Sequence, residues 1–226
     1  MAAGLTGEIL ATRTLARGDG APVAAVVVRP DDTDANRAAL RQVSARWQRQ
    51  AQGVVAIDHA AAHRAFFASD VAFIASGELA GDPDTQMRVV QGASGPVLGL
   101  ALYRFLLIPR PRWYIGLVTV RPEDQPGFPG ALPARQIRGT GRFLTEAVLD
   151  DIATNPTCTR IELDCLDAAA CSYWRHIGFA GTTEPLTLSC EEARRVAVGL
   201  FPIPLDPEDV QAGTREAVSR VNPRWG

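Results

Sequence analysis

At 226 residues, 46% apolar and 21% charged, the chain is long enough to bury one sizeable core, and its composition excludes collagen-like and disordered classes. A net charge of −2 gives no general attraction to nucleic acid or to an anionic membrane. No apolar run reaches the roughly 18 residues of a membrane span, and the N-terminus lacks the pattern of a secretory signal. The expectation is a cytoplasmic protein with no nucleic-acid and no membrane partner.

The first strong element is the valine-rich run PVAAVVVRP (22–30), which reads as a buried strand. DDTD then offers helix caps, and Leu40, Val43 and Trp47 form one apolar stripe of a helix over 34–50. A second helix includes DHAAAHRAFFAS. His59 and His63 share one of its faces, but the glutamate of the H-E-x-x-H zinc pattern is missing, so they read as exposed and no metal is expected. Three near-continuously apolar strands follow: TQMRVVQG, VLGLALYRFLLI and WYIGLVTV, a meander in the middle of a sheet. The segment 121–134 is rich in proline and glycine and reads as a loop.

Beyond it, Phe143, Leu144, Ala147, Val148 and Ile152 mark a helix that stops before the proline of NP (155–156). TRIELDCL is a further strand. DAAACSYWRHIGF is a short helix with Asp167 as N-cap and Gly178 as its left-handed stop. The order of elements gives an α/β (α+β) sandwich around a mixed sheet. Cys158, Cys165, Cys171 and Cys190 contain no C-x-x-C pair and suit neither a zinc site nor a familiar disulfide framework; they read as buried reduced thiols. All 23 basic residues are arginine, through either GC-rich coding or selection against lysine modification.

The chemistry concentrates at QIRGTGRFL (136–144). A strand ends at VTVRP, a loop follows, and two glycines open a helix. That order aims backbone N–H groups and a helix dipole at one point, which suits a phosphate. Glycine permits close approach there, and Arg138 and Arg142 add charge. The P-loop pattern fails for want of a lysine, and G-x-G-x-x-G for want of a third glycine.

QIRGTG resembles the Q/R-x-x-G-x-G/A signature of the GNAT superfamily of N-acetyltransferases. VTVRP resembles the end of that family's fourth strand, and SYWRHIGF its closing motif, with Ala170 at the place of a usual alanine and Asp167 where the family often has asparagine. VVVRPDDTDANRAAL and GPVLGLALYRF resemble its opening strand and helix and its third strand. The resemblance spans roughly 23–180. It implies a mostly antiparallel sheet flanked by helices, and acetyl-CoA as co-substrate for direct transfer to an amine, on a small molecule or a protein. The backbone of Gln136, Ile137, Arg138, Gly139, Thr140, Gly141 and Arg142 would hold the pyrophosphate. Val118 and Val120 would pair with the pantetheine arm, and one of their N–H groups would polarise the thioester carbonyl. Asp167 and Trp174 join the cofactor site through the closing motif.

An amine of pKa about 10.4 is less than one part in a thousand neutral at pH 7, so a base is expected. Glu162 and Asp164 share a strand face and are candidates. Tyr114 stands where some family members carry a catalytic glutamate. The family's acid tyrosine falls on Trp174, whose indole is no practical acid; Tyr173 is the neighbouring candidate. Longer than the family pattern is the loop 123–135, read either as a lid or acceptor-binding element or as a tolerated surface insertion.

The organisation expected is an N-terminal segment 1–22, an acyl-CoA-binding domain 23–190 and a helical extension 191–226. A homodimer is compatible with it. Two alternatives stand beside the amine acetyltransferase: a GNAT fold that binds acyl-CoA without transfer, and a toxin or effector that acetylates a macromolecule.

Overall fold

A computed structural model describes residues 4–79, 84–93, 95–182 and 185–200; the expected second helix of the C-terminal extension lies outside them. Eight strands form one sheet: β1 (Gly7–Arg17), β2 (Pro22–Pro30), β3 (Thr85–Gly92), β4 (Val97–Leu106), β5 (Arg112–Val120), β6 (Ile137–Arg138), β7 (Arg160–Leu163) and β8 (Leu186–Ser189). Their spatial order is β6-β1-β2-β3-β4-β5-β7-β8. Each neighbouring pair is antiparallel except β5 and β7, which run parallel.

Helices cover both faces. On one face lie α1 (Asp34–Val54) and α2 (His59–Glu78), whose Leu40, Trp47, Ala68, Val71 and Ala72 pack on Val89, Leu100 and Leu102 of the sheet. On the other lie α3 (Thr140–Thr154), α4 (Ala168–Ile177) and α5 (Cys190–Leu200). There Phe143, Leu144, Val148 and Ile152 bury against Val27, Val90, Ala101 and Ile115. The continuous apolar run of β4 follows from this, because a strand covered on both faces has no wet side to alternate with, while β3 buries Arg88 and Gln91 among its apolar residues.

Caps appear where the sequence places them. Thr33 caps α1 through Asn36 N–H; Asp58, which the sequence reading did not single out, caps α2 through Ala61 N–H. Asp167 Oδ1 accepts from Ala170 N–H at 2.8 Å at the start of α4, and Gly178 ends that helix at φ 121°.

Two features depart from the sequence reading. The segment before residue 23 is not separate from the sheet: β1 pairs along β2 from Gly7↔Pro30 to Ala16↔Pro22. Its side chains are largely exposed, so no apolar run announced a strand. The cysteines are not reduced thiols: Cys158 is bonded to Cys190, and Cys165 to Cys171. Their Cα separations of 5.8 and 5.2 Å lie in the range a disulfide spans. The first pair flanks the Arg160↔Ser189 end of the β7–β8 pairing, a juxtaposition that sequence spacing does not reveal.

Candidate active site

The site begins with an interruption in the sheet. β5 pairs with β7 over three residues only: Trp113↔Ile161, Tyr114↔Glu162 and Ile115↔Leu163. Gly116 is then the extra residue of a bulge, since Leu102 opposes Leu117 while Tyr103 opposes Ile115 on β4. A bulge bends and twists its strand, and β7 ends at Leu163. Residues 116–120 of β5 therefore run on beyond β7, with an edge that no described strand covers on that side. At about 3.3 Å per residue, this edge extends for roughly 16 Å.

At the far end of the edge stands the start of α3. Gly139 caps the helix at φ 85°, a left-handed conformation that a side chain would strain. The N–H groups of Thr140, Gly141 and Arg142 occupy the first turn, where no intrahelical acceptor exists. A methyl built on Gly141 would come within 3.5 Å of Val120 Cγ1, and one on Gly99 within 3.3 Å of Thr140 Cγ2. The helix start thus abuts the end of the open edge. Thr140 Oγ1 is buried with no hydrogen-bond partner among the described residues, which marks a polar position that a ligand would satisfy.

Two sides hold the entry to this helix. β6 pairs Arg17↔Ile137 and Ala16↔Arg138 with β1, and Gly18 N–H donates to Gln136 O at 2.8 Å. A side chain at Gly18 would lie 1.7 Å from Pro133 O, so the β1–β2 turn fits this segment only as glycine. On the other side, Ile137 N–H donates to Asp124 Oδ1 at 2.6 Å. Below the glycines, Glu146 is fully buried and lies between Arg13, 2.5 Å away, and Arg142, 2.9 Å away. Arg13 also stacks 4.6 Å over the Phe143 ring.

The start of the long loop is hydrogen-bonded to its surroundings. Its first residues form a one-turn helix at Pro122–Asp124. Glu123 accepts from Arg46 at 2.7 Å and Gln50 at 2.8 Å, both on α1. Gln125 Nε2 donates to Val120 O at 3.1 Å. These bonds anchor the loop to α1, to the end of β5 and to the glycine segment at once.

The candidate acid–base residues fall into different surroundings. Glu162 is paired with Arg112 at 2.8 Å and Arg160 at 2.9 Å. Tyr114, its neighbour across the β5–β7 register, donates to Asp164 Oδ2 at 2.7 Å. Tyr173 bonds Thr145 Oγ1 on α3 at 3.1 Å; burial raises its phenol above the ordinary range, and the bond to Thr145 offsets part of that rise. Trp174 is buried, edge-on to Phe179 and to Tyr173. Asp167 lies 4.0 Å from Arg64 of α2 in addition to its capping role. His59 and His63 are exposed, and no group of three or more His, Cys, Asp or Glu converges on a metal position among the described residues.

On the α2 side of the sheet, a cavity of about 560 Å³ adjoins the bulge. Tyr114, Gly116 and Leu117 of β5, Leu102 and Arg104 of β4, and Ile74 and Glu78 of α2 line it. Glu78 and Ile74 carried no motif; only the packing of α2 over the bulge reveals them.

An open strand edge leading to a glycine-started helix, within this strand order, is the fold of the GNAT acetyltransferases. A putative acetyltransferase of that family from Desulfovibrio desulfuricans aligns over 74% of this chain and 99% of its own, at TM-score 0.51 and 14% identity. An acetyltransferase from Thermus thermophilus aligns over 79% and 95%, at TM-score 0.43 and 15% identity. The AtaT–AtaR complex bound to DNA aligns over 49% and 72%, at TM-score 0.38 and 15% identity. No family model and no curated protein sequence matches the chain. The expectation of no nucleic-acid partner accordingly rests on net charge alone. No described helix is long and apolar enough to cross a membrane.

Proposed function

We propose that the protein transfers an acetyl group from acetyl-CoA to an amine. The observation that carries this reading is the parting of β5 from β7 after Ile115↔Leu163, with the free edge leading to the first turn of α3. Acetyl-CoA supplies an activated acyl group. The N–H groups of Thr140, Gly141 and Arg142, with the unpartnered Thr140 hydroxyl, would receive its pyrophosphate. Val118 and Val120 would pair with its pantetheine arm as an added strand does, with Gln136, Ile137, Arg138 and Gly139 shaping the turn between them. Asp167 and Trp174 would wall the opposite side, from α4.

The acceptor amine would enter from the cavity beside Gly116. Asp164, hydrogen-bonded to Tyr114 at the mouth of the parting strands, is the base this arrangement favours. Glu162 is disfavoured because two arginines hold its carboxylate. Removing the amine's proton at neutral pH is what the reaction needs most from the protein.

A second reading has its own support. Trp174 fills the family's acid position, and the Tyr173 hydroxyl is held by Thr145, so no side-chain acid from α4 is evident for the leaving thiolate. A protein that binds acyl-CoA without transfer would look the same. Acetyl-CoA at 100 times its dissociation constant raises stability by about 2.7 kcal/mol in either case. Release of free thiol across a panel of amines, lost in Gly139→Glu, separates them: transfer requires it. A wild-type protein that gains no stability from saturating CoA would sink both.

A further inference from the structure

We propose that Asp124, on the loop that follows β5, is a positioning residue for the phosphate cradle, an inference that rests on the function proposed above. The cradle works only if three N–H groups converge, and that requires residues 136–138 to run extended into a left-handed Gly139. β1 fixes one side of this segment by pairing with Ile137 and Arg138. Nothing in the Q-x-x-G-x-G pattern fixes the other side.

Asp124 does so. Its side chain is 1% exposed, and its Oδ1 takes the Ile137 N–H at 2.6 Å. A charge-assisted bond of this kind is about twice as strong as a neutral one and more directional. The carboxylate is itself oriented: Arg121 Nε bonds its Oδ2, and Arg121 Nη2 its Oδ1 at 3.0 Å. The guanidinium has a second purpose. A bare carboxylate beside an anion site would repel the anion, and Arg121 neutralises it in place.

The same turn reaches further. Glu123 is bonded to Arg46 and Gln50 of α1, and its Oε1 lies 3.6 Å from Arg121. Gln125 Nε2 holds Val120 O. One short turn therefore connects the end of the open edge, the glycine segment and a helix of the opposite layer. Pro122 and Gln125, both buried, seat that turn in the structure.

The test compares Asp124→Ala with Asp124→Asn. The amide of asparagine keeps an oxygen that accepts from Ile137 N–H; alanine keeps none. Two readouts are made on the full chain: CoA affinity by calorimetry, and hydrogen exchange at the Ile137 amide, with the Leu149 amide as core reference. Asp124→Ala should exchange at Ile137 at least tenfold faster with Leu149 unchanged, and should bind CoA at least tenfold more weakly. If the protein transfers acetyl, its KM for acetyl-CoA should rise while kcat stays within about threefold. Asp124→Asn should restore most of the protection and of the affinity. Wild-type values in Asp124→Ala for both readouts would overturn the proposal. So would an asparagine variant as impaired as alanine, or equal loosening at Leu149. Should the wild type bind no CoA, the functional reading fails instead, and exchange at Ile137 still decides whether Asp124 orders the segment.

Discussion

The Tyr114 hydroxyl donates to Asp164 Oδ2 at 2.7 Å, beside the point where β5 and β7 part. Two residues fifty positions apart in sequence thus meet at the mouth of the site, next to the bulge at Gly116 and the cavity behind it.

If Asp164 accepts the acceptor's proton, Asp164→Asn lowers kcat by on the order of 10²-fold, the size of a general-base contribution. Affinity for CoA should stay unchanged. Glu162→Gln, whose partners Arg112 and Arg160 lie on the same two strands, should keep kcat within about threefold. Steady-state kinetics with one amine acceptor measures both. Equal losses in the two variants would remove Asp164 from the role.

Gly139→Ala isolates the backbone at the cradle. The new methyl would make only an ordinary 3.6 Å contact with Leu15, so sterics are not at issue. Holding an alanine at φ 85° costs about 1–2 kcal/mol. The variant should melt lower than wild type and gain less stability from CoA. A normal melting temperature with a full CoA-induced shift would mean that the left-handed turn is not required.

The Cys158–Cys190 bond closes a separation of 32 residues. Constraining the unfolded chain over such a loop is worth about 3–4 kcal/mol in the chain-entropy model, against about 2 kcal/mol for a loop the size of that closed by Cys165–Cys171. Cys158→Ala should therefore lose more stability in denaturant titrations than Cys165→Ala. The two variants should converge with wild type in reductant, apart from small packing losses. Equal losses in both would argue against a dominant role for the longer loop.

Asp124 gives a pH signature. Burial raises its carboxyl above the ordinary range, and Arg121 only partly offsets this. Between the unfolded value of about 3.9 and the raised folded value, the native state holds more protons than the unfolded chain, so this group's contribution falls as pH rises through that window. The melting temperature of wild type relative to Asp124→Asn should drop as pH climbs from about 4, then level off. A difference that stays constant from about pH 4 to 7 would contradict the assignment.

Much of the fold was legible because local chemistry announces it. β4 occupies Val97–Leu106, within the apolar run VLGLALYRFLLI that marks it, and α1 extends beyond residue 50 to Val54 on the same apolar stripe. Gly139 opens α3 because the chain turns left-handed there, at φ 85°, a conformation that glycine adopts without strain. β1 escaped notice because a strand with exposed side chains carries no apolar pattern. The candidate acid–base residues were legible as types but only partly as partners: Arg160 and Glu162 share a face of β7 as i, i+2 neighbours, but nothing local says that Arg112 also occupies Glu162, or that Thr145 holds Tyr173.

By itself, the sequence determined the order of β2 to β5, β7 and α1 to α4, the caps of α1 and α4, and the glycine-started helix after a strand, since each depends on residues within one or two turns of each other. The tertiary structure alone decided where β5 leaves β7, which cavity adjoins the bulge, how the cysteines pair, and that Asp124 reaches Ile137. Those relationships depend on strand order and register, and burial makes them matter: inside the fold, a carboxylate or an N–H group without a partner is costly, so each must find one far along the chain.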